Sequence, residues 1–166
     1  MEADAKAGLV FREKESVESA SSTAPAEAMD LRRTPGHLLR RAQQRAVEIY
    51  QEEVGDDGLR PPQFALLLTV FQKAGLNQTE LVHLTGIDRS TLADMIARLE
   101  KRGFLTRKPG TDQRSRHLWL TDSGAEAVRS NAAAGYRAQD RIMAPVAPDE
   151  RAHFLELLGR IADLPQ

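Results

Sequence analysis

Residues 77–121, NQTELVHLTGIDRSTLADMIARLEKRGFLTRKPGTDQRSRHLWLT, constrain the fold more tightly than any other stretch of the chain. Asn77 with Glu80 three residues on has capping-box spacing, so a helix begins there, with Leu81, Val82 and Leu84 as its inner face. Gly86 makes a turn and Ile87 plugs it. Asp88 is placed to cap a longer helix on which Leu92, Met95, Ile96 and Leu99 recur at helical spacing. Gly103 stands where a left-handed terminator belongs. Phe104, Leu105 and Thr106 open a strand, and PGTD at 109–112 is turn chemistry. Arg116 to Leu120 return as a second strand, with Leu118 and Leu120 inward and His117 and Trp119 outward. A short helix, a turn, an amphipathic helix and an arginine-tipped hairpin in that order predict a winged helix-turn-helix. The expected fold class is mainly α with a small β-hairpin wing.

The flanking sequence reads as helix. Thr34 and Pro35 start one, carrying Leu38, Leu39, Ala42, Ala46, Ile49 and Tyr50, and GDDG at 55–58 ends it. Pro61 and Pro62 open a second that is apolar on almost every side up to Gly75, hence buried. Thr121 caps a long helix to about Met143, with Ala125, Val128, Ala132, Tyr136 and Ile142 as its seam. Asp149 begins a last helix bearing Phe154, Leu155, Leu157, Leu158, Ile161 and Leu164. That broad apolar face has nothing in its own chain to cover it, and a two-fold partner supplies the cover; folding back on its own subunit is the competing reading. Residues 1–30 are Ala-, Ser- and Glu-rich and read as a flexible acidic arm.

Net charge is −1, but it is unevenly placed. Residues 1–30 carry seven acids against three bases, whereas residues 88–116 carry eight bases against four acids. A local basic stripe in a near-neutral chain is the electrostatic footprint of nucleic-acid binding. The chain has no cysteine, which excludes disulfides and thiol-based sensing. The sequence lacks a signal-peptide plan, and no apolar run approaches the roughly 20 residues of a bilayer span. A cytoplasmic protein without membrane contact is expected.

In such a fold the second helix presents its N-terminal residues to base edges. Those are Arg89, Ser90 and Thr91, with Asp94 and Arg98 further along the same side. Arg89 is suited to a bidentate pair with guanine. The helix start near Gln78 and Thr79 offers backbone N–H groups to phosphate. The hairpin brings Arg107, Lys108, Arg114 and Arg116 to the backbone or the minor groove, and Asp112 is spaced to orient Arg114. The bland alternative is a merely solvated hairpin.

At these residues the chain resembles the MarR family of bacterial transcriptional regulators. The match runs from about Leu38 to Leu164, and its most specific parts are DRSTLADMIARLEKRGFLTR at 88–107, the spacing of Asp112, Arg114, Leu120 and Thr121, and Gly124. The resemblance implies a homodimer whose first and last helices interleave, binding a pseudo-palindromic operator and released by a small ligand, most often as a repressor. It divides the chain into the arm (1–30), an N-terminal dimerisation and ligand-lining helix (31–60), a winged DNA-binding lobe (61–121) and C-terminal dimerisation helices (122–166).

Family ligands lodge between the dimerisation helices and the lobe, which points to His37, Arg40, Arg41, Arg45 and Tyr50 as effector-lining residues. Their basic character suits an aromatic carboxylate or an acyl-CoA thioester; a solvated face paired with Glu48, Glu52 and Glu53 is the competing reading. His37, His83, His117 and His153 lack ligand spacing, so neither a metal nor another cofactor is expected. No nucleophile–base pattern or phosphate-cradling glycine loop points to an enzyme. A winged-helix module that docks protein instead of DNA is the alternative function.

Overall fold

The computed structural model describes residues 29–56, 58–109 and 116–163. The described residues divide into two units, with the boundary between Leu39 and Arg40. In the first, Asp30 caps a single 3-10 turn, Leu31–Arg33, by accepting from the Arg32 backbone N–H at 3.0 Å. Pro35 then opens α1 (Pro35–Val54), which runs on into the second unit.

The second unit is built around α2 (Pro61–Gln72). Two prolines lock its first turn, and the Gln63 side chain accepts from the Arg60 N–H. Leu66, Leu67 and Val70 are fully buried. The helix ends at Gln72 rather than near Gly75, because Lys73 is already extended and Gly75, with φ +76°, turns the chain into the two-residue β1 (Leu76–Asn77). Phe71 corrects the expectation of all-round burial: it is exposed, with the Arg129 guanidinium 5.5 Å over its ring.

α3 (Gln78–Thr85) is capped as expected. Asn77 Oδ1 accepts from the N–H groups of Thr79 and Glu80, and Glu80 Oε2 accepts from the Asn77 N–H at 2.8 Å. Leu84 is 53% exposed, against the inward placement its type suggests. The inner face is centred between Leu81 and Val82, with Gln78 and Thr85 close to its centre line, so Leu84 lies about 110° round. Gly86, with φ +66°, makes the turn to α4 (Arg89–Lys101). Leu92, Ile96 and Leu99 anchor α4, each contributing about 2 kcal/mol of burial.

β2 (Leu105–Pro109) and β3 (Arg116–Leu120) form the wing hairpin, and β1 adds to it in the antiparallel order β1-β3-β2. Leu105 faces Leu120, Arg107 faces Leu118 and Pro109 faces Arg116. Leu118 is buried and Trp119 exposed, as the alternation requires. β1 was not evident in the sequence; it pairs Leu76 with Leu118 and Asn77 with His117.

Thr121 caps α5 (Asp122–Met143), accepting from the Gly124 N–H at 3.1 Å and donating its hydroxyl to the Gly103 carbonyl at 2.5 Å. Its buried positions are Gly124, Val128, Gly135 and Ala138. Tyr136 is not in the seam: it lies about 120° round from it and is 75% exposed. α6 (Arg151–Ile161) starts two residues later than Asp149 and buries none of its residues in the single chain. Phe154, Leu155, Leu157, Leu158 and Ile161 all lie exposed along it.

The main core joins α2 to α5 and the sheet through the side chains of Leu59, Leu66, Leu81, Leu92, Leu105, Leu118 and Val128. A smaller cluster packs Ile49 and Tyr50 of α1 against Ala138 of α5, with Phe64 beside Tyr50 at 6.0 Å between ring centroids. The arrangement is a winged helix-turn-helix with additional helices on either side.

Candidate nucleic-acid interface

The start of α3, the middle of α4 and the wing meet in one cleft. It encloses 370 Å³ and is lined by Asn77, Gln78 and Thr79 at the start of α3, Ile96 of α4, and Arg107, Arg116 and Leu118 of the wing. The strand register makes this meeting unavoidable. Arg107 and Arg116 share a face with inward Leu118, so both point toward the helices, while His117 and Trp119 point away.

Asn77 occupies the N–H groups of Thr79 and Glu80. Its cap therefore leaves the Gln78 N–H as the donor this turn still offers to phosphate. The helix-start partial positive charge and two arginines favour an anion in the cleft.

Arg89, Ser90 and Thr91 lie exposed in the first turn of α4, with Asp94 and Arg98 exposed further along. In the free chain their side chains are not idle. Ser90 donates its hydroxyl to Asp88 at 2.7 Å, and the Thr91 N–H donates to the same oxygen at 2.9 Å. Hydrogen bonding from Thr91, side chain first and then backbone, and from Ser90 holds the Asp88 carboxyl far below the usual carboxylate range. Asp88 is thus an anionic cap throughout the ordinary pH range. Arg89 donates from Nη2 to Thr79 Oγ1 at 3.0 Å, and its carbonyl accepts from Gln78 Nε2 at 3.2 Å.

On the wing, Arg107 Nε donates to both oxygens of Glu100 at 3.0 Å, which ties β2 to α4 and engages that side chain in the free chain. Lys108 lies 5.0 Å over the Trp119 ring on the opposite face. His117 Nδ1–H donates to the Gly75 carbonyl at 2.7 Å and pins the wing to the α2–β1 corner. Asp112 and Arg114 fall outside the described residues.

The five candidate effector residues all lie on α1. His37 is in its first turn and partly exposed, and Arg40 and Arg41 are exposed. Arg45 pairs with Glu48 at 3.3 Å and Glu52 at 3.6 Å, the arrangement of the competing reading. Tyr50 lies about 140° round the helix from Arg45 and is buried, so the structure does not bring those two together. Burial pushes the Tyr50 hydroxyl up to about 12.

The ion-pair network that joins α1 to α5 was missed in the sequence. Glu53 accepts from Arg137 at 2.8 Å and from Arg141 at 2.7 Å, while Arg141 also donates to Glu52. These partners are more than eighty residues apart and carry no local spacing signal. The Glu100–Arg107 and Thr79–Arg89 contacts, seven and ten residues apart, were missed because they cross from one element to another. Among the described residues no three His, Cys, Asp or Glu side chains gather as a metal site, and no helix is long and apolar enough to cross a membrane.

Comparison with known proteins gives one pattern. The MarR family profile matches residues 59–115. The HTH-type transcriptional repressor NicR of Pseudomonas putida is 30% identical over 135 residues, covering 81% of this chain and 85% of NicR. The transcriptional regulator PcaV of Streptomyces coelicolor, solved with its natural ligand, superposes with a TM-score of 0.76 at 36% identity, covering 82% of this chain and 96% of PcaV. The transcriptional repressor CouR, bound to a 23-mer DNA duplex, gives 0.72 at 34% identity, covering 80% of this chain and 94% of CouR. CouR has also been solved with p-coumaroyl-CoA.

Proposed function

The chain belongs to the MarR family of transcriptional regulators, and we propose that it is a homodimeric repressor which a small anionic effector releases from a pseudo-palindromic operator. The observation that carries the DNA-binding part is the shared cleft. The start of α3, the α4 helix and the Arg116 side of the wing converge there, beside the exposed first turn of α4. A phosphate in that cleft is held by the Gln78 N–H and Arg116, while α4 reads bases from Arg89, Ser90, Thr91, Asp94 and Arg98. Arg114, at the wing tip in sequence, reaches the neighbouring backbone or minor groove. The capture of a 23-mer duplex by CouR supports this use of the fold.

Dimerisation is supported by the unburied apolar side chains of α6. For the effector, Arg40 and Arg41 remain the cationic side chains of α1 best suited to a carboxylate or a coenzyme A phosphate, since Arg45 is engaged by Glu48 and Glu52. The binding of p-coumaroyl-CoA by CouR supports an aromatic acid or its thioester as the class.

The test is selection from a library of random-sequence duplexes. The proposal expects enrichment of a two-fold symmetric site with half-sites about 10 bp apart, followed by release on adding an aromatic acid or its coenzyme A ester. Recovery of no common sequence contradicts it.

A further inference from the structure

We propose that Thr79 is a specificity-positioning residue: it aims Arg89 at the base edge without touching DNA itself. The inference rests on the DNA-binding reading above and adds a role that reading does not assign. Thr79 brings a backbone N–H and a hydroxyl to the start of α3. Its backbone N–H is taken by Asn77 Oδ1 at 2.9 Å, which leaves the hydroxyl as its free polar group at this corner. That hydroxyl accepts from Arg89 Nη2 at 3.0 Å, across ten residues of sequence and the whole helix-turn-helix turn.

The neighbouring residue reinforces the link. Gln78 Nε2 donates to the Arg89 carbonyl at 3.2 Å, so α3 holds both the backbone and the side chain of Arg89. The Asn77–Glu80 capping box stiffens the turn that carries Gln78 and Thr79. Arg89 is therefore oriented from a rigid base, although it is exposed on α4.

The guanidinium keeps its reading capacity in this pose. Nη2 carries two N–H groups, of which Thr79 takes one. The second keeps a neighbour, Nη1–H or Nε–H, with which to make the two-point fork that guanine O6 and N7 accept. An exposed arginine normally loses rotamer freedom when it binds. Here Thr79 removes part of that freedom beforehand, which favours the specific contact and leaves phosphate attraction unaltered.

The test is a double-mutant cycle with Thr79→Val, Thr79→Ser, Arg89→Ala and Thr79→Val/Arg89→Ala. Affinities are measured for the duplex that the wild-type protein recovers from a random-sequence library and for an unselected duplex of the same length. Thr79→Val is expected to weaken the selected duplex about fivefold, the effect of having to order one rotamer-rich side chain on binding. The unselected duplex should stay within about twofold, with the salt slope unchanged. Thr79→Ser restores the preference. In the Arg89→Ala background, Thr79→Val adds nothing further.

Equal losses on both duplexes overturn the inference, as does an undiminished preference in Thr79→Val. The same penalty with and without Arg89 also overturns it, because Thr79 then acts on its own. A wild-type protein that binds no duplex removes the DNA-binding reading itself and this inference with it, an outcome distinct from the other three.

Discussion

Replacing Gly124 by alanine reverses the usual sign of a glycine-to-alanine change in a helix. Gly124 is buried in the first turn of α5, and a Cβ built there falls on the carbonyl oxygen of Phe104, a backbone atom that no rotamer change moves aside. The same oxygen accepts from the Thr121 N–H at 3.1 Å, and the Gly124 N–H donates to Thr121 Oγ1. Alanine gains at most about 1 kcal/mol of helix propensity. Against that stand about 1–3 kcal/mol for overpacking against a fixed neighbour and about 1 kcal/mol for a weakened buried hydrogen bond. The balance is a loss of about 2 kcal/mol. Urea unfolding at one fixed protein concentration, since a dimer's stability depends on it, should show a midpoint lower by about 1 M at an m-value near 2 kcal/mol/M. The displaced Phe104–Thr121 junction is also the base of the wing, so affinity for duplex DNA should fall with stability. A Gly124→Ala protein as stable as the parent, or more so, refutes the packing argument.

The α6 face gives a second prediction: Leu155→Glu/Leu158→Glu should sediment as a monomer and retain helical circular dichroism, and an intact dimer contradicts the proposed interface. A third concerns pH. Hydrogen bonds from Arg137 and then Arg141 lower the Glu53 carboxyl, and Arg141 does the same to Glu52. A carboxylate lowered on folding adds stability that is present above its unfolded pKa of about 4.3 and is lost as pH falls through the folded value. Thermal melts should therefore decline below about pH 4.5, and less steeply in Glu53→Gln; parallel declines in the two proteins rule out the clamp as a contributor. A fourth follows from the cap of α3. Asn77→Ala, which frees the N–H groups of Thr79 and Glu80, should cost about 1 kcal/mol in chemical denaturation, and no loss argues against that cap.

The features legible in the sequence were those that act over a few residues. Asn77 and Glu80, Asp88, and Thr121 announce their helices because a capping side chain must sit two or three places from the N–H it serves. The inward and outward faces of the second wing strand followed from alternation at Leu118 and Trp119. Where the signal misled, size was the cause. α5 buries Gly124, Gly135 and Ala138, small residues that sit against Phe104 at the wing base, Phe64 of α2 and the Ile49–Tyr50 pair of α1. A search for large apolar side chains therefore selected Tyr136, which faces outward. β1 is only two residues long, and its hydrogen bonds depend on β3 some forty residues later. The functional corner had the same limitation. Arg89 and Arg107 were recognisable as cations, but their partners Thr79 and Glu100 become visible only once α3, α4 and β2 are packed together.

The most direct check on a DNA-gripping surface shared by wing and helices is the salt dependence of duplex binding. Affinity for a selected duplex, plotted as log K against log salt, should fall with a slope of about −3.6 or steeper, corresponding to Arg114 and Arg116 in each of two subunits. Arg114→Ala/Arg116→Ala should make the slope shallower by about that amount. A slope near zero, or one untouched by removing both arginines, contradicts the account.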